Sequence, residues 1–138
     1  MTENKGVFAM NGQVLAGAVV AVVGLLLARH FLSGGRYRTI GPAEAKRLVD
    51  DGGALLLDVR TAGEFAAGKI KGAKLIPLAE LSRRLQELPP AATVVVYCAI
   101  GGRSRVAAKV LGQRDGSTVY NLAGGLVAWQ KAGYQISR

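Results

Sequence analysis

The sequence predicts an α/β protein, a parallel sheet flanked by helices, preceded by one transmembrane helix. Three observations carry that prediction. Continuous apolar runs of strand length, at 54–59 and 93–97, mark strands buried on both faces. Segments of helical spacing alternate with them, which places helices on both sides of a parallel sheet. Finally, no Lys, Arg, Asp or Glu occurs between Lys5 and Arg29, and residues 14–28 read VLAGAVVAVVGLLLA.

The N-terminal stretch comes first. A spanning helix needs roughly 20 predominantly apolar residues, and 7–32 supplies that length. A cleaved signal peptide would carry a more basic start and a small-x-small cleavage site, whereas Met-Thr-Glu-Asn-Lys is nearly neutral and Ala28-Arg29-His30-Phe31 cleaves poorly. The run is apolar all round, unlike an amphipathic core helix. Arg29, His30, Arg36 and Arg38 outweigh Lys5 and Glu3, so the positive-inside rule keeps the C-terminal domain in the cytoplasm. The expectation is a single-pass helix in the inner (cytoplasmic) membrane, in contact with lipid through residues 7–32. Gly17, Ala21 and Gly24 share one face and would let two such helices pair as a homodimer. Ser33-Gly34-Gly35 reads as a hinge, so residues 1–35 form anchor and linker and 36–138 the folded domain.

Within that domain, Pro42 suits a first helical turn, with Ala45, Leu48 and Val49 inward over 43–50. Asp51-Gly52-Gly53 ends it, ahead of strand 54–59. Thr61 caps a short helix with Glu64 completing a capping box, and Gly68 stops it. A short strand at 74–76 precedes Leu78, Leu81, Leu85 and Leu88 at helical spacing, closed by Pro89-Pro90. Strand 93–97 leads into a glycine-rich loop and a helix over 103–111. Strand 117–121, the turn Gly124-Gly125 and a helix over 126–132 complete the chain, with Trp129 in the core.

The chemistry concentrates at Cys98, the only cysteine, where strand 93–97 ends and a helix begins. Gly101 and Gly102 permit a tight bend. Such a turn aims backbone N–H groups inward, and the helix adds its orphan donors and positive dipole end. A thiol there ionises readily, and the thiolate is the nucleophile. Arg103 adds a fixed charge with forked donors for an oxyanion. A buried, inert cysteine is the plain alternative, and the glycine pair with Arg103 argues against it.

Composition narrows the rest. Net charge is +9, from 18 Lys+Arg against 9 Asp+Glu, which fits anionic partners. Nucleic acid is disfavoured: aromatics are few, and no helix-turn-helix, zinc or RNP-like pattern accompanies the charge. One cysteine excludes an internal disulfide or a Cys-rich metal site. The single histidine, His30, lies beside the apolar stretch and assembles no Ser/His/Asp arrangement, so neither a metal nor an organic cofactor is expected.

Cys98-x-x-Gly101-x-Arg103-Ser104 resembles the active-site loop of the rhodanese (sulfurtransferase) family. Asp58-Val59-Arg60 with Glu64-Phe65-x-x-Gly68-x-Ile70-x-Gly72-Ala73 resembles the family's first signature, and Asn121-Leu122-x-Gly124-Gly125-x-x-Ala128-Trp129-x-x-Ala132-Gly133-Tyr134 its last. One departure is Lys69, where the family usually has histidine; it falls in a turn away from the loop. The resemblance implies a rhodanese domain over 36–138, with Cys98 carrying a persulfide between a small sulfur-donor anion such as thiosulfate and a thiol, cyanide or protein acceptor. It implies that Ala99, Ile100, Gly101, Gly102, Arg103, Ser104 and Arg105 bind substrate, with Asp58 and Arg60 supporting neighbouring loops. No second cysteine is present to resolve the persulfide internally, so the acceptor must be external. Related phosphatases and arsenate reductases place five residues between cysteine and arginine; here there are four, Ala99 to Gly102, a smaller cradle suited to one sulfur. A different class also fits the residues: a non-catalytic, membrane-tethered module for redox sensing or protein binding, with Cys98 as an oxidisable thiol.

Overall fold

The structure, a computed structural model, describes residues 12–32 and 36–138. The chain divides into two compact units, Met1–Ser33 and Gly34–Arg138. The first contains α1, Gly12–Leu32. Val14, Val20 and Leu25 on it are each more than 60% exposed, so its apolar surface is not consumed by packing.

Among the described residues no helix is long and apolar enough to cross a membrane. The expected transmembrane span is therefore corrected. The uninterrupted apolar run, 14–28, lies between Gln13 and Arg29 and rises about 22 Å as a helix. The hydrocarbon core is about 30 Å thick. The earlier part of the expected lipid contact, residues 7–11, and the hinge Ser33-Gly34-Gly35 lie outside the described residues.

The second unit is a five-stranded sheet, all parallel, in the order β1-β5-β4-β2-β3. The strands are β1 Tyr37–Ile40, β2 Leu55–Asp58, β3 Lys74–Leu75, β4 Thr93–Tyr97 and β5 Thr118–Leu122. The helices are α2 Pro42–Asp50, α3 Ala62–Ala67, α4 Gly102–Leu111 and α5 Gly125–Lys131. Strand residues alternate between faces, and this sheet is covered on both. Leu57, Val94, Val96 and Cys98 meet Ala107, Ala108 and Leu111 of α4 on one side. Leu56, Val95 and Tyr97 meet Ala45 of α2 and Leu126 and Trp129 of α5 on the other.

Two expectations change. The leucine-spaced segment forms two 3₁₀ helices, Leu78–Arg83 and Leu85–Glu87, rather than one α-helix. Pro77 and Pro89 bound it closely, and Leu78/Leu81 and Leu85/Leu88 are each three apart, the period of the 3₁₀ turn. Tyr37–Ile40, for which the sequence predicts no element, form β1, which pairs Tyr37 with Val119 and Ile40 with Leu122. Their alternation is weak, and it is the neighbouring β5 that completes their backbone hydrogen bonding.

Candidate active site

Cys98 is the first residue after β4, and its side chain is 1% exposed. Its position follows from the valine run: a strand buried on both faces delivers the next residue to the carboxyl edge of the sheet, where ligands bind in parallel α/β folds. The loop then turns through Gly101, whose φ is +107°, a region that side chains other than glycine's rarely adopt. That turn brings two amide donors and the Ser104 hydroxyl to the sulfur. The Gly101 amide lies 3.1 Å from Sγ, the Ser104 amide 3.4 Å and the Ser104 hydroxyl 3.4 Å. In the thiol form the S–H donates to Ser104 Oγ, which in turn donates to the Gly101 carbonyl at 3.2 Å.

The charge state of Cys98 follows from two opposed effects. Burial pushes its thiol up; hydrogen bonds from the Ser104 hydroxyl and amide and from the Gly101 and Ile100 amides hold it down, and they win. The net shift is below the ordinary thiol value. Donors fixed by the backbone need no reorganisation when charge appears, and this stabilises a sulfur anion in a water-poor site. The N-terminus of α4 adds its dipole in the same direction.

The loop is held from outside by α5. Leu126 donates its amide to the Cys98 carbonyl at 2.8 Å, and Val127 donates to the Ala99 carbonyl at 3.1 Å. With those carbonyls turned outward, the loop's amides face the sulfur. Gly125 makes the close approach feasible: a Cβ there would stand 2.3 Å from the Cys98 carbonyl oxygen, and its φ is +57°. In the sequence Gly124-Gly125 reads as a tight turn only. Its role in holding the cysteine loop becomes visible when the two segments meet.

Arg103 is placed differently from the expectation of a free oxyanion clamp. Its Nη1 and Nη2 each donate to Glu64 at 2.8 Å, a bidentate pair that ties α3 to α4. Glu64 also accepts from the Thr61 amide at 3.0 Å, and Thr61 Oγ1 accepts from the Glu64 amide at 3.3 Å, completing the capping box. Arg103 and Thr61 hold the Glu64 carboxyl well below the usual carboxylate range. Near the sulfur, positive potential therefore comes chiefly from backbone amides and the helix end, since the Arg103–Glu64 pair is neutral as a unit. Arg105 is exposed on α4, as are Gly102 and, in the loop, Ile100 at 72%. Ala99 is partly buried and contributes its carbonyl to α5.

Asp58 and Arg60 form a second buried unit. Asp58 is fully buried and Arg60 is 5% exposed. The Asp58 carboxylate accepts from the Arg60 amide at 2.9 Å and from Nη2 at 2.6 Å, while that Nη2 also donates to the Gly68 carbonyl at 2.7 Å. The pair fixes the β2–α3 connection, and its guanidinium lies over the Tyr97 ring at 5.8 Å. Lys69 pairs through its backbone with Ser137, at 2.8 Å in both directions, and its ammonium covers Phe65. Among the described residues no group of three or more His, Cys, Asp or Glu side chains gathers as metal ligands.

Comparison with known proteins agrees with this geometry. The profile of the Rhodanese-like domain family matches residues 41–132. A protein named sulfurtransferase from Allochromatium vinosum is 39% identical over 92 residues, spanning 67% of this chain and 86% of its own length. The thiosulfate sulfurtransferase GlpE of Pseudomonas fluorescens is 32% identical over 94 residues, with 68% and 85% covered. Among solved structures, a rhodanese-related protein from Thermoplasma volcanium superposes with a TM-score of 0.67 at 31% identity, covering 73% of this chain and 98% of that one.

Proposed function

The chain belongs to the Rhodanese-like domain family, and from that premise we propose that it is a membrane-attached sulfurtransferase carrying sulfane sulfur on Cys98. The observation that carries the reading is the cradle: the Gly101 and Ser104 amides donating to one sulfur, with the Ser104 hydroxyl also within 3.4 Å of it, at the start of α4. The resemblance to proteins named sulfurtransferase supports the reaction class, and the one named thiosulfate sulfurtransferase motivates thiosulfate as the first donor to try.

The cycle is covalent. The Cys98 thiolate attacks the outer sulfur of thiosulfate; an S–S bond forms to Sγ, and the bond to the sulfonate group breaks with its electron pair leaving on sulfite. The product is a Cys98 persulfide anion, whose outer sulfur the loop amides stabilise. An external nucleophile then attacks that outer sulfur: cyanide gives thiocyanate, and a thiolate gives a persulfide of the acceptor. The Cys98 thiolate returns, and no proton or electron is gained or lost across the two steps. The only cysteine being Cys98, no internal disulfide competes.

The test is intact mass of the full chain in mild detergent after thiosulfate, then after cyanide, beside Cys98→Ser. A gain of one sulfur atom, removed by cyanide and absent in the variant, is expected. No gain from thiosulfate or from a persulfide donor would instead favour the redox-sensing or protein-binding module.

Attachment to the membrane rests on the exposed apolar surface of α1 and the basic residues after it. Flotation with liposomes containing anionic lipid checks it: the full chain floats, and removing residues 12–32 leaves it at the bottom of the gradient. Equal flotation of both forms would refute attachment through α1.

A further inference from the structure

Glu64 masks the arginine next to the reactive sulfur. Its carboxylate is fixed by its own helix, since Thr61 donates both its amide and its hydroxyl to Oε2, each at 3.0 Å, at the start of α3. From there it accepts from Nη1 and Nη2 of Arg103, each at 2.8 Å. Arg103 immediately precedes Ser104, whose amide and hydroxyl are each 3.4 Å from Cys98 Sγ. The guanidinium is pushed above its ordinary value first by its bonds to Glu64 and, more weakly, by attraction to Cys98, so its charge and the sulfur's act on each other. A positive charge in reach of the cradle is thus cancelled by a carboxylate that the α3 cap holds in place.

The masking bears on which reagents the sulfur meets. An arginine with a free fork clamps oxyanions; here both outer nitrogens are spent on Glu64, and the pair carries no net charge. The surface beside the loop is largely apolar. Among the described residues of the second unit, the exposed large hydrophobic side chains are Ile100, Val106 and Val127, one in the loop and two near the starts of α4 and α5. We propose that Glu64 is the charge-selecting residue of this site: by holding Arg103 it slows reaction of Cys98 with anions relative to uncharged partners, and with dianions most. Its extension to sulfur donors rests on the sulfur-transfer reading; the effect on the Cys98 thiolate itself does not.

Iodoacetate and iodoacetamide have nearly the same shape and are attacked by the same thiolate, but only the first carries a negative charge. The ratio of their rates therefore reports the potential at the sulfur, while a change in thiol ionisation or in loop packing moves both together and cancels. The rates are read by intact mass of the full chain in nonionic detergent at low ionic strength, Cys98 being the only cysteine. Glu64→Gln unmasks Arg103 and should raise the iodoacetate-to-iodoacetamide ratio about fivefold, Arg103→Gln leaves Glu64 alone and should lower it about fivefold, and the double variant should return to within about twofold of the parent. Arg105, exposed in the first turn of α4, is present in all four forms and drops out of the comparison. Thiosulfate, with two negative charges, should load sulfur onto Glu64→Gln about tenfold faster than onto the parent. Circular dichroism at the assay temperature confirms that each form is folded. An unchanged ratio in Glu64→Gln, or a double variant no nearer the parent than the single ones, would overturn the proposal. A raised ratio with thiosulfate loading no faster overturns the extension to sulfur donors. A raised ratio with no sulfur loading in any form supports the charge selection and counts against the sulfur-transfer reading alone.

Discussion

Replacing Glu64 by glutamine removes the charge that holds Arg103 while keeping a side chain able to cap α3, because glutamine also serves at the third helical position of a capping box. The substitution thus isolates one interaction. In the parent, two N–H···O contacts of 2.8 Å join the guanidinium and the carboxylate in parallel. Bidentate geometry is the strong form of such a pair. Its side chains are 39% and 35% exposed, however, so water screens much of the attraction. The net contribution to stability is about 1 kcal/mol, the upper end for exposed pairs. For a domain of this size that lowers Tm by about 4–8 °C.

The assay is a double-mutant cycle on thermal unfolding with Glu64→Gln, Arg103→Gln and both, in the full chain. A coupling energy of about 1 kcal/mol is expected. The pH dependence carries a second, signed expectation. Glu64 is depressed in the folded state, so the unfolded chain binds its proton first and the contribution is fully present above the unfolded value, about 4.3. As pH falls from there through the depressed folded value, the gap in Tm between parent and Glu64→Gln closes. Strict additivity of the two substitutions at neutral pH, or a gap that stays constant into acid, would refute the assignment of Glu64 as the partner of Arg103.

Three more substitutions probe the same geometry. Ser104→Ala deletes the hydroxyl that helps to hold the Cys98 thiol down, so the midpoint of iodoacetamide alkylation against pH shifts upward and sulfur loading from thiosulfate slows at neutral pH; an unchanged midpoint contradicts the cradle. Gly125→Ala forces a Cβ to 2.3 Å from the Cys98 carbonyl at a φ of +57°, and the resulting clash and backbone strain cost about 3 kcal/mol, read as a lower urea midpoint together with slower alkylation of Cys98. Asp58→Asn leaves the Arg60 charge buried without its partner; a loss of about 3–5 kcal/mol is expected in urea unfolding, and a loss below 1 kcal/mol would argue that water reaches the pair.

Much of this protein is legible in local pattern. The three valines of 93–97 announce a strand buried on both faces, and that strand is the centre of the sheet, flanked by β2 and β5. Thr61 and Glu64 announce a capping box, and it forms. The leucine spacing after Pro77 is ambiguous, since two three-residue steps separated by a four-residue step suit either an α-helix or a pair of 3₁₀ turns. β1 is hidden because four residues with two exposed side chains in the middle carry little period of their own.

What the sequence alone determined is the chemistry's address: a single cysteine between a buried strand and a glycine-opened helix, with a serine and an arginine downstream. The reason is that strand burial, turn conformation and helix initiation are set by neighbours along the chain. What only the tertiary structure decided is how that address is furnished. Glu64, 39 residues from Arg103, takes both ends of its guanidinium. Gly125 brings the start of α5 against the Cys98 carbonyl, and β5 turns Tyr37–Ile40 into a strand. Each depends on a contact between distant segments. Such a contact leaves no periodicity in either, because the spacing that sets it is in space and not along the chain.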